Sequence, residues 1–392
     1  MRIGYSEDHE SLRQELRAYY EKLLTPEVRA GLSSEHGIGP NGRAVVRQMG
    51  SDGLLGQGWP VEYGGKGHGP VEQFVFFDES MRAGAPVPML TINTVGPTIM
   101  AYGTDEQKDY FLPKILGGEI QFCIGYSEPG AGSDLAALTT RAERDGDEYI
   151  INGQKTWTSL ASDADWCWLA VRTNPEVAKH KGISMVLVDM KNTPGITTVP
   201  LKLLPGHDIC HVFFEDARVP VSNRVGEENG GWRLITNQLN HERVTLCSSG
   251  MIEKYIDETR DWARATTLAD GSRVIDQQWV QVLMARIYAR LEFLRLINWK
   301  IAWSAQASSL HPADASATKA FGTEFFLEAL RGCQEIVGQA GYLPAGSPGV
   351  VLAGQLEQAT RGLLILTYGG GTNELQRDII SSFGLGMPRA DR

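Results

Sequence analysis

Four stretches of the chain combine residue types that could do chemistry. The first, Ile124 to Asp134 (IGYSEPGAGSD), puts glycines and a proline behind an apolar run. Such a backbone can approach a ligand closely, and consecutive N–H groups can cradle a pyrophosphate, with Ser127 and Ser133 adding hydroxyls. The same residues also suit a polar β-turn at a strand end. They are no dinucleotide fingerprint, because no βαβ unit with an acidic residue about 20 positions on follows. The second stretch, Trp157-Thr158-Ser159, sets an indole beside two hydroxyls, which could cover a flat aromatic cofactor and bond its edge. A tryptophan in a strand is more often core. The third centres on Glu242: Trp232, Ile235, Leu239, Glu242 and Leu246 are spaced 3, 4, 3 and 4, one face of a helix. A carboxyl on an apolar stripe is expected to have a raised pKa, which is how a general base poised near neutrality is made. The competing reading is a salt bridge, as with Arg243, or a stripe that ends in solvent. The fourth, Tyr368 to Arg377 (YGGGTNELQR), clusters three glycines after Leu363 to Leu366, leaving space and bare N–H groups, or a helix C-cap and loop.

Other chemistries are disfavoured. The eight histidines do not cluster, and the five cysteines lack CxxC spacing, so no metal site is expected. No GxSxG or Cys/His nucleophile pattern is present. The net charge of −10 and the lack of a basic run argue against nucleic acid as a partner. No window approaches a membrane-spanning apolar length, and the polar, acidic start resembles no signal peptide, so no membrane partner and a cytoplasmic location are expected.

The elements that must position these residues fall into three blocks. From Asp8 to Leu24 the pattern is charged and helical; a turn-rich stretch, Gly56 to Pro70, precedes more helix through Phe111. Between Glu119 and Asn223, period-2 alternation and β-branched residues dominate. There Glu148 to Ile151 and Gln154 to Ser159 predict a hairpin about a type I′ Asn152-Gly153 turn. Trp166 to Arg172, Gly182 to Met190 and Cys210 to Phe214 are further strand candidates. Beyond Gly230-Gly231 the helical period returns, with loops expected at Leu268 to Arg273 and Ser309 to Ala315. The fold class is α+β, with an N-terminal helical domain (1–120), a middle β domain (121–228) and a C-terminal helical bundle (229–392).

Five segments together resemble the acyl-CoA dehydrogenase family of flavoproteins: Gly103 to Gly118, Tyr126 to Asp134, Asn152 to Ser159, Asn240 to Arg243 and Gly371 to Arg377. The likeness covers nearly the whole chain and is greatest to actinobacterial enzymes acting on CoA thioesters of steroid side chains. It implies FAD as cofactor, held by Ile124, Tyr126, Ser127, Gly132 and Ser133, covered by Trp157, Thr158 and Ser159, and met by Thr372 and Glu374. It further implies an acyl-CoA substrate at Ser133, Asn240, Arg243, Gly370 and Gly371. Most members carry their catalytic glutamate immediately before the Gly-Thr that is here Gly371-Thr372, where this chain has Gly370. A minority place it on the facing helix at the position of Glu242. The stripe and the family exception thus select the same residue as base.

The activity expected from the resemblance is α,β-dehydrogenation of a bulky acyl-CoA, with an electron-transfer flavoprotein as acceptor. A flavin monooxygenase on the same fold and a non-catalytic companion subunit are the alternatives. Two segments by which family members complete a neighbour's FAD site are altered here. One reads Arg264-Ala265-Thr266-Thr267-Leu268 for an Arg-x-x-Phe-Gly, before Gln278; the other reads Glu335-Ile336-Val337-Gly338-Gln339 for a Gln-x-x-Gly-Gly. A homologous second subunit in an α2β2 heterotetramer is therefore expected to supply what is missing.

Overall fold

The computed structural model describes residues 4–33, 35, 39–204, 208–245 and 247–388, with the backbone alone for 208 and 239–245. The first helices are α1 (Glu7–Leu23), α2 (Pro26–Ser33), α3 (Pro40–Ser51), α4 (Pro70–Ala83), α5 (Gly96–Tyr102) and α6 (Asp105–Leu116). Strands follow: β1 (Phe122–Gly125), β2 (Arg141–Asp145), β3 (Glu148–Ser159), β4 (Trp166–Arg172), β5 (Ile183–Asp189), β6 (Ile196–Lys202), β7 (Asp208–Pro220) and β8 (Arg224–Val225). The last helices are α7 (Gly231–Thr245), α8 (Gly250–Ala265), α9 (Gln278–Gln306), α10 (Pro312–Val337), α11 (Gln355–Gly362) and α12 (Asn373–Ile379). The fold is thus α+β, helical at both ends with strands between. Packing groups the chain into two units, one of residues 1–22, 70–85 and 243–392, the other of 23–69 and 86–242.

In the first unit α4 buries Phe74 to Phe77 and, with them, two carboxylates. Glu79 takes the guanidinium groups of Arg13 (2.8 Å) and Arg17 (2.7 Å) from α1. Asp78 accepts from the Ser248 and Ser249 hydroxyls (2.7 and 2.9 Å) and the Gly250 N–H (2.8 Å), so it closes the head of α8. Burial pushes the Asp78 carboxyl up, and these donors oppose it. α10 packs Phe325, Phe326 and Leu330 against Ile252 of α8 and Leu291 of α9. The expected loop Ser309 to Ala315 is shorter than its composition suggested, because Pro312 opens α10. Proline suits that first helical position, where its missing N–H is no loss.

In the second unit the strands form one sheet in the order β6-β7-β3-β2-β4-β5-β8, with β1 parallel to β4. Tyr149, Ile151, Leu169, Val171, Val186, Val212 and Phe214 make its core. Helix α6 is closed by a capping box: the Thr104 hydroxyl accepts from the Gln107 N–H, and the Gln107 amide oxygen accepts from the Thr104 N–H.

The predicted Asn152-Gly153 hairpin turn is not there. β3 runs straight through it, pairing with β2 on one side and β7 on the other. The chain reverses instead after Asp145, where Gly146 has φ 64°. Asn-Gly makes a bulge: register against β7 shifts between Ile151 and Gly153, and the Asn152 amide donates to Asp216 at 2.9 Å. Gly153 has φ 150°, and a Cβ on it would fall 2.6 Å from the Thr140 hydroxyl. The run Cys210 to Phe214 lies inside the longer β7, and β6 was not anticipated, its Pro200 being tolerated on an edge strand. All five cysteines are free and buried. No described helix is long and apolar enough to cross a membrane.

Candidate functional site

The glycine loop leaves β1 at Gly125 and folds back at once. Glu128 and Ala131 exchange backbone hydrogen bonds (2.9 and 3.0 Å) around Pro129-Gly130. Behind that turn stands a pair that sequence reasoning missed. Lys155 of β3, fully buried, donates to the Glu128 carboxylate at 2.8 Å and to the Tyr126 carbonyl at 3.1 Å. Glu128 also accepts from the Thr139 N–H (2.6 Å), the Thr139 hydroxyl (2.8 Å) and the Thr140 N–H (2.8 Å). Burial alone would raise the Glu128 pKa, but the Lys155 charge and these donors outweigh it and hold it at about 2. The loop is therefore pinned from inside where it enters its turn, at Tyr126 and Glu128.

Its glycines divide by purpose. At Gly125 a Cβ would fall 2.7 Å from Leu169, so core packing explains it. Gly130 and Gly132 have neither a positive φ nor any atom within 4 Å of a built Cβ. Nothing within the described chain requires glycine at these two positions. Space kept clear beside backbone N–H groups is what a closely approaching ligand needs.

The loop and the end of β3 come together: the Thr156 N–H donates to the Ser127 carbonyl at 2.8 Å. There the β3–β7 register slips again, between Lys155 and Thr158, and Trp157 is driven to φ 57°. Left-handed backbone costs a non-glycine residue about 1–3 kcal/mol and clusters at functional sites. The slip re-aims the indole, which is 59% exposed where a core tryptophan would be covered. Thr158 is buried, and its hydroxyl has no hydrogen-bond partner among the described residues. Ser159 is exposed, as are Gly132 and Ser133, while Ile124 and Ser127 are half-buried. An open backbone cradle, an exposed indole and an orphaned buried hydroxyl fit a bound flat, phosphorylated cofactor.

Tyr126 does not offer its hydroxyl: it donates to the Gln238 side chain on α7 and accepts from the Trp168 indole at 3.1 Å. Gln238, a second missed residue, is fully buried, with its amide nitrogen unpartnered among the described residues. On α7 the covered face of the described turns carries Leu234, Ile235 and Gln238, so of the expected stripe Ile235 is buried and Trp232 only half-buried. Asn240, Glu242 and Arg243 lie on this helix, but their side chains, and all of Leu246, are outside the described residues.

The remaining candidates sit together in the other unit. Leu363–Thr367 forms a short 3-10 turn, and the glycines after it lead into α12. Gly370 (φ 68°) and Gly371 (φ 96°) both adopt left-handed backbone, which suits the loop that leaves this 3-10 turn as well as a bare-backbone site. The Thr372 hydroxyl is used as the α12 cap, accepting from the Leu375 N–H at 3.2 Å, and Glu374 is exposed in the first turn. Among the described residues no group of His, Cys, Asp or Glu side chains could hold a metal ion.

Family models match the chain over most of its length. The acyl-CoA dehydrogenase N-terminal domain matches residues 6–119, the middle domain 123–217 and the C-terminal domain 229–385. Acyl-CoA dehydrogenase FadE26 of Mycobacterium tuberculosis is 54% identical, with 100% of both chains covered. The crystal structure of the ChsE4-ChsE5 complex from Mycobacterium tuberculosis contains a chain 55% identical with a TM-score of 0.93, again over 100% of both. The Tcur3481-Tcur3483 steroid ACAD contains one 48% identical with a TM-score of 0.94 over 100% of both. The chain belongs to the acyl-CoA dehydrogenase family of flavin-dependent oxidoreductases.

Proposed function

We propose that this chain binds FAD and forms a Cα–Cβ double bond in the CoA thioester of a steroid side chain. The observation that carries the FAD assignment is the pair Gly130 and Gly132, kept free of side chains where the fold makes no use of it. The acyl assignment draws on likeness to a steroid ACAD. Bound FAD would supply the two-electron acceptor, taking the substrate's β-hydrogen with its electron pair. Glu242 takes the pro-R α-proton onto its carboxylate. The thioester oxygen gains charge as that proton leaves, so a fixed N–H donor there lowers the barrier. The backbone amide of Gly370 is that donor, and a glycine serves because only its N–H is needed. Ser133, Asn240 and Arg243 would hold the CoA thioester, and Thr158, Ser159 and Trp157 would hold the flavin.

Flavin content of the complex purified with its partner subunit tests the cradle. Gly132→Val has room for its side chain in the bare fold, so it should leave folding intact while reducing bound flavin at least roughly tenfold. Ser127→Ala should only weaken binding or shift the flavin spectrum. The opposite order refutes the assignment.

The active particle is a heterotetramer with a homologous second subunit, reoxidised by an electron-transfer flavoprotein. Two observations support the second subunit. Arg264, Gln278, Glu335 and Gln339, in and beside the altered segments, are all exposed. Along α9, Trp279, Val282, Phe293, Leu296 and Trp303 are 44–64% exposed and keep an a/d heptad register, the pattern of a seam covered by another helix. The similar structures named above are of paired, differently named chains. Expressed alone, the chain should be flavin-poor, poorly soluble or inactive. Co-expression with candidate partners should give a yellow complex with one flavin per pair that is bleached by steroid side-chain CoA thioesters. A homotetramer purified alone with four tightly bound FAD and full activity would show the assembly to be wrong.

A further inference from the structure

Lys319 lies in the middle of α10 and is fully buried. Hiding an amine costs several kcal/mol unless its hydrogens find acceptors, so what it bonds to is informative. Its Nζ donates to the Gly371 carbonyl and to the Asn373 side-chain oxygen, each at 2.8 Å. Asn373 is itself fixed, its amide donating to the Thr323 hydroxyl (3.0 Å) and the Glu324 carboxylate (3.2 Å) one turn along α10. The Gln376 side chain adds a longer bond to the Gly371 carbonyl at 3.4 Å. The segment so held is the one whose two glycines adopt left-handed backbone, φ 68° and 96°. Glycine there has many alternative conformations, so outside bonds must select one.

The same turn of α10 also holds the chain just beyond α7. The Lys319 carbonyl accepts from the Cys247 thiol at 3.6 Å, and the Asn298 amide donates to the Cys247 carbonyl at 3.0 Å. A Cβ on Gly322 would fall 2.7 Å from Cys247 Cβ, so the chain leaving the Glu242 helix lies directly on α10. One helical turn therefore touches both the glycine turn and the chain that follows α7.

We propose that Lys319 is a positioning residue for the dehydrogenation: through the Gly371 carbonyl and Asn373 it locks the Gly370-Gly371 turn in the one conformation that presents the Gly370 amide to the thioester oxygen. This rests on the assignment of the Gly370 amide as the donor to that oxygen. A lysine that only filled space would be replaced by methionine without kinetic consequence. A locking lysine is needed for the transition state and little for binding, because the oxygen acquires its charge only during the reaction.

The test uses the flavin-loaded complex with its partner subunit, comparing wild type, Lys319→Met and Lys319→Gln. Three readouts are taken: flavin content, kcat and KM with the best acyl-CoA, and the enolate absorbance of bound acetoacetyl-CoA across pH. Lys319→Met should keep flavin and KM near wild type, lower kcat roughly 10²-fold, and move enolate formation to higher pH. Lys319→Gln, which keeps a donor, should recover part of both losses. Unchanged kcat and enolate absorbance overturns the proposal, as does a rise in KM alone. Loss of flavin in parallel with activity, or failure of both variants to fold, makes Lys319 a fold-determining residue and overturns it too. A wild-type complex bleached by no acyl-CoA takes down the dehydrogenase assignment itself, whereas an active wild type with indifferent variants takes down only Lys319.

Discussion

Glu242→Gln should keep FAD bound and abolish flavin bleaching by acyl-CoA. An amide cannot take the α-proton, and the loss of a general base typically costs 10²–10⁴ in rate. The cost here should lie at or beyond the upper end, because the position before Gly371-Thr372 offers only Gly370 in place of a carboxylate. Absorbance after anaerobic mixing with substrate, in the complex with its partner, measures this directly. Substantial turnover in Glu242→Gln would refute the assignment. Adding Gly370→Glu to that variant should restore part of the activity, on unbranched substrates before bulky ones. The restoration should stay incomplete, since Gly370 has φ 68° and a side chain there costs about 1–2 kcal/mol. The new side chain would also occupy room that glycine leaves for a bulky acyl group.

What was legible in the sequence was what residue type and short-range spacing control. The loop from Ile124 to Asp134 announces itself because glycine, proline and serine have few other reasons to gather behind a strand. Its support does not, because Glu128 and Lys155 are 27 positions apart and meet only once β3 has formed. A lysine between Ile151 and Thr158, at a position that packs inward, is the one signal that was there to notice. Asn152-Gly153 misled for the opposite reason. The dipeptide favours turns in isolation, but pairing on both sides of β3 outweighs that preference and converts it into a bulge. Trp157 was legible as a candidate and illegible as exposed, since only the register slip beside it turns the indole outward. On α7 a 3-and-4 spacing fits two adjacent faces almost equally, so the sequence favoured Trp232 where packing selected Leu234 and Gln238. Lys319 stood as the lone cation in a stretch of small residues, Ala315 to Ala320, which is where a buried lysine with a purpose would stand.

Breaking the Glu128–Lys155 pair should be the most damaging change to the fold of the middle strands. Lys155→Met has nearly the right volume but leaves a carboxylate buried without its counter-charge, which costs about 3–5 kcal/mol. That corresponds to a fall in Tm of roughly 5–10 °C. It should also reduce bound flavin, because Glu128 holds the turn that carries Gly130 and Gly132. Adding Glu128→Gln should recover much of the stability: the buried charge is gone, and the glutamine oxygen still accepts from the Thr139 or Thr140 N–H. Recovery should be partial, because glutamine has one acceptor where Glu128 offers two to Thr139, Thr140 and Lys155. The acid limb of stability gives an independent measurement. The Glu128 pKa is held at about 2 in the fold against about 4.3 in an unfolded chain. Its contribution is therefore complete above about pH 4.3 and lost as pH falls toward 2. Glu128→Gln should be less stable than wild type at neutral pH, and its stability should fall less between those two values. A Lys155→Met protein as stable as wild type, or an acid limb unchanged by Glu128→Gln, would mean that the loop is held by its backbone bonds alone.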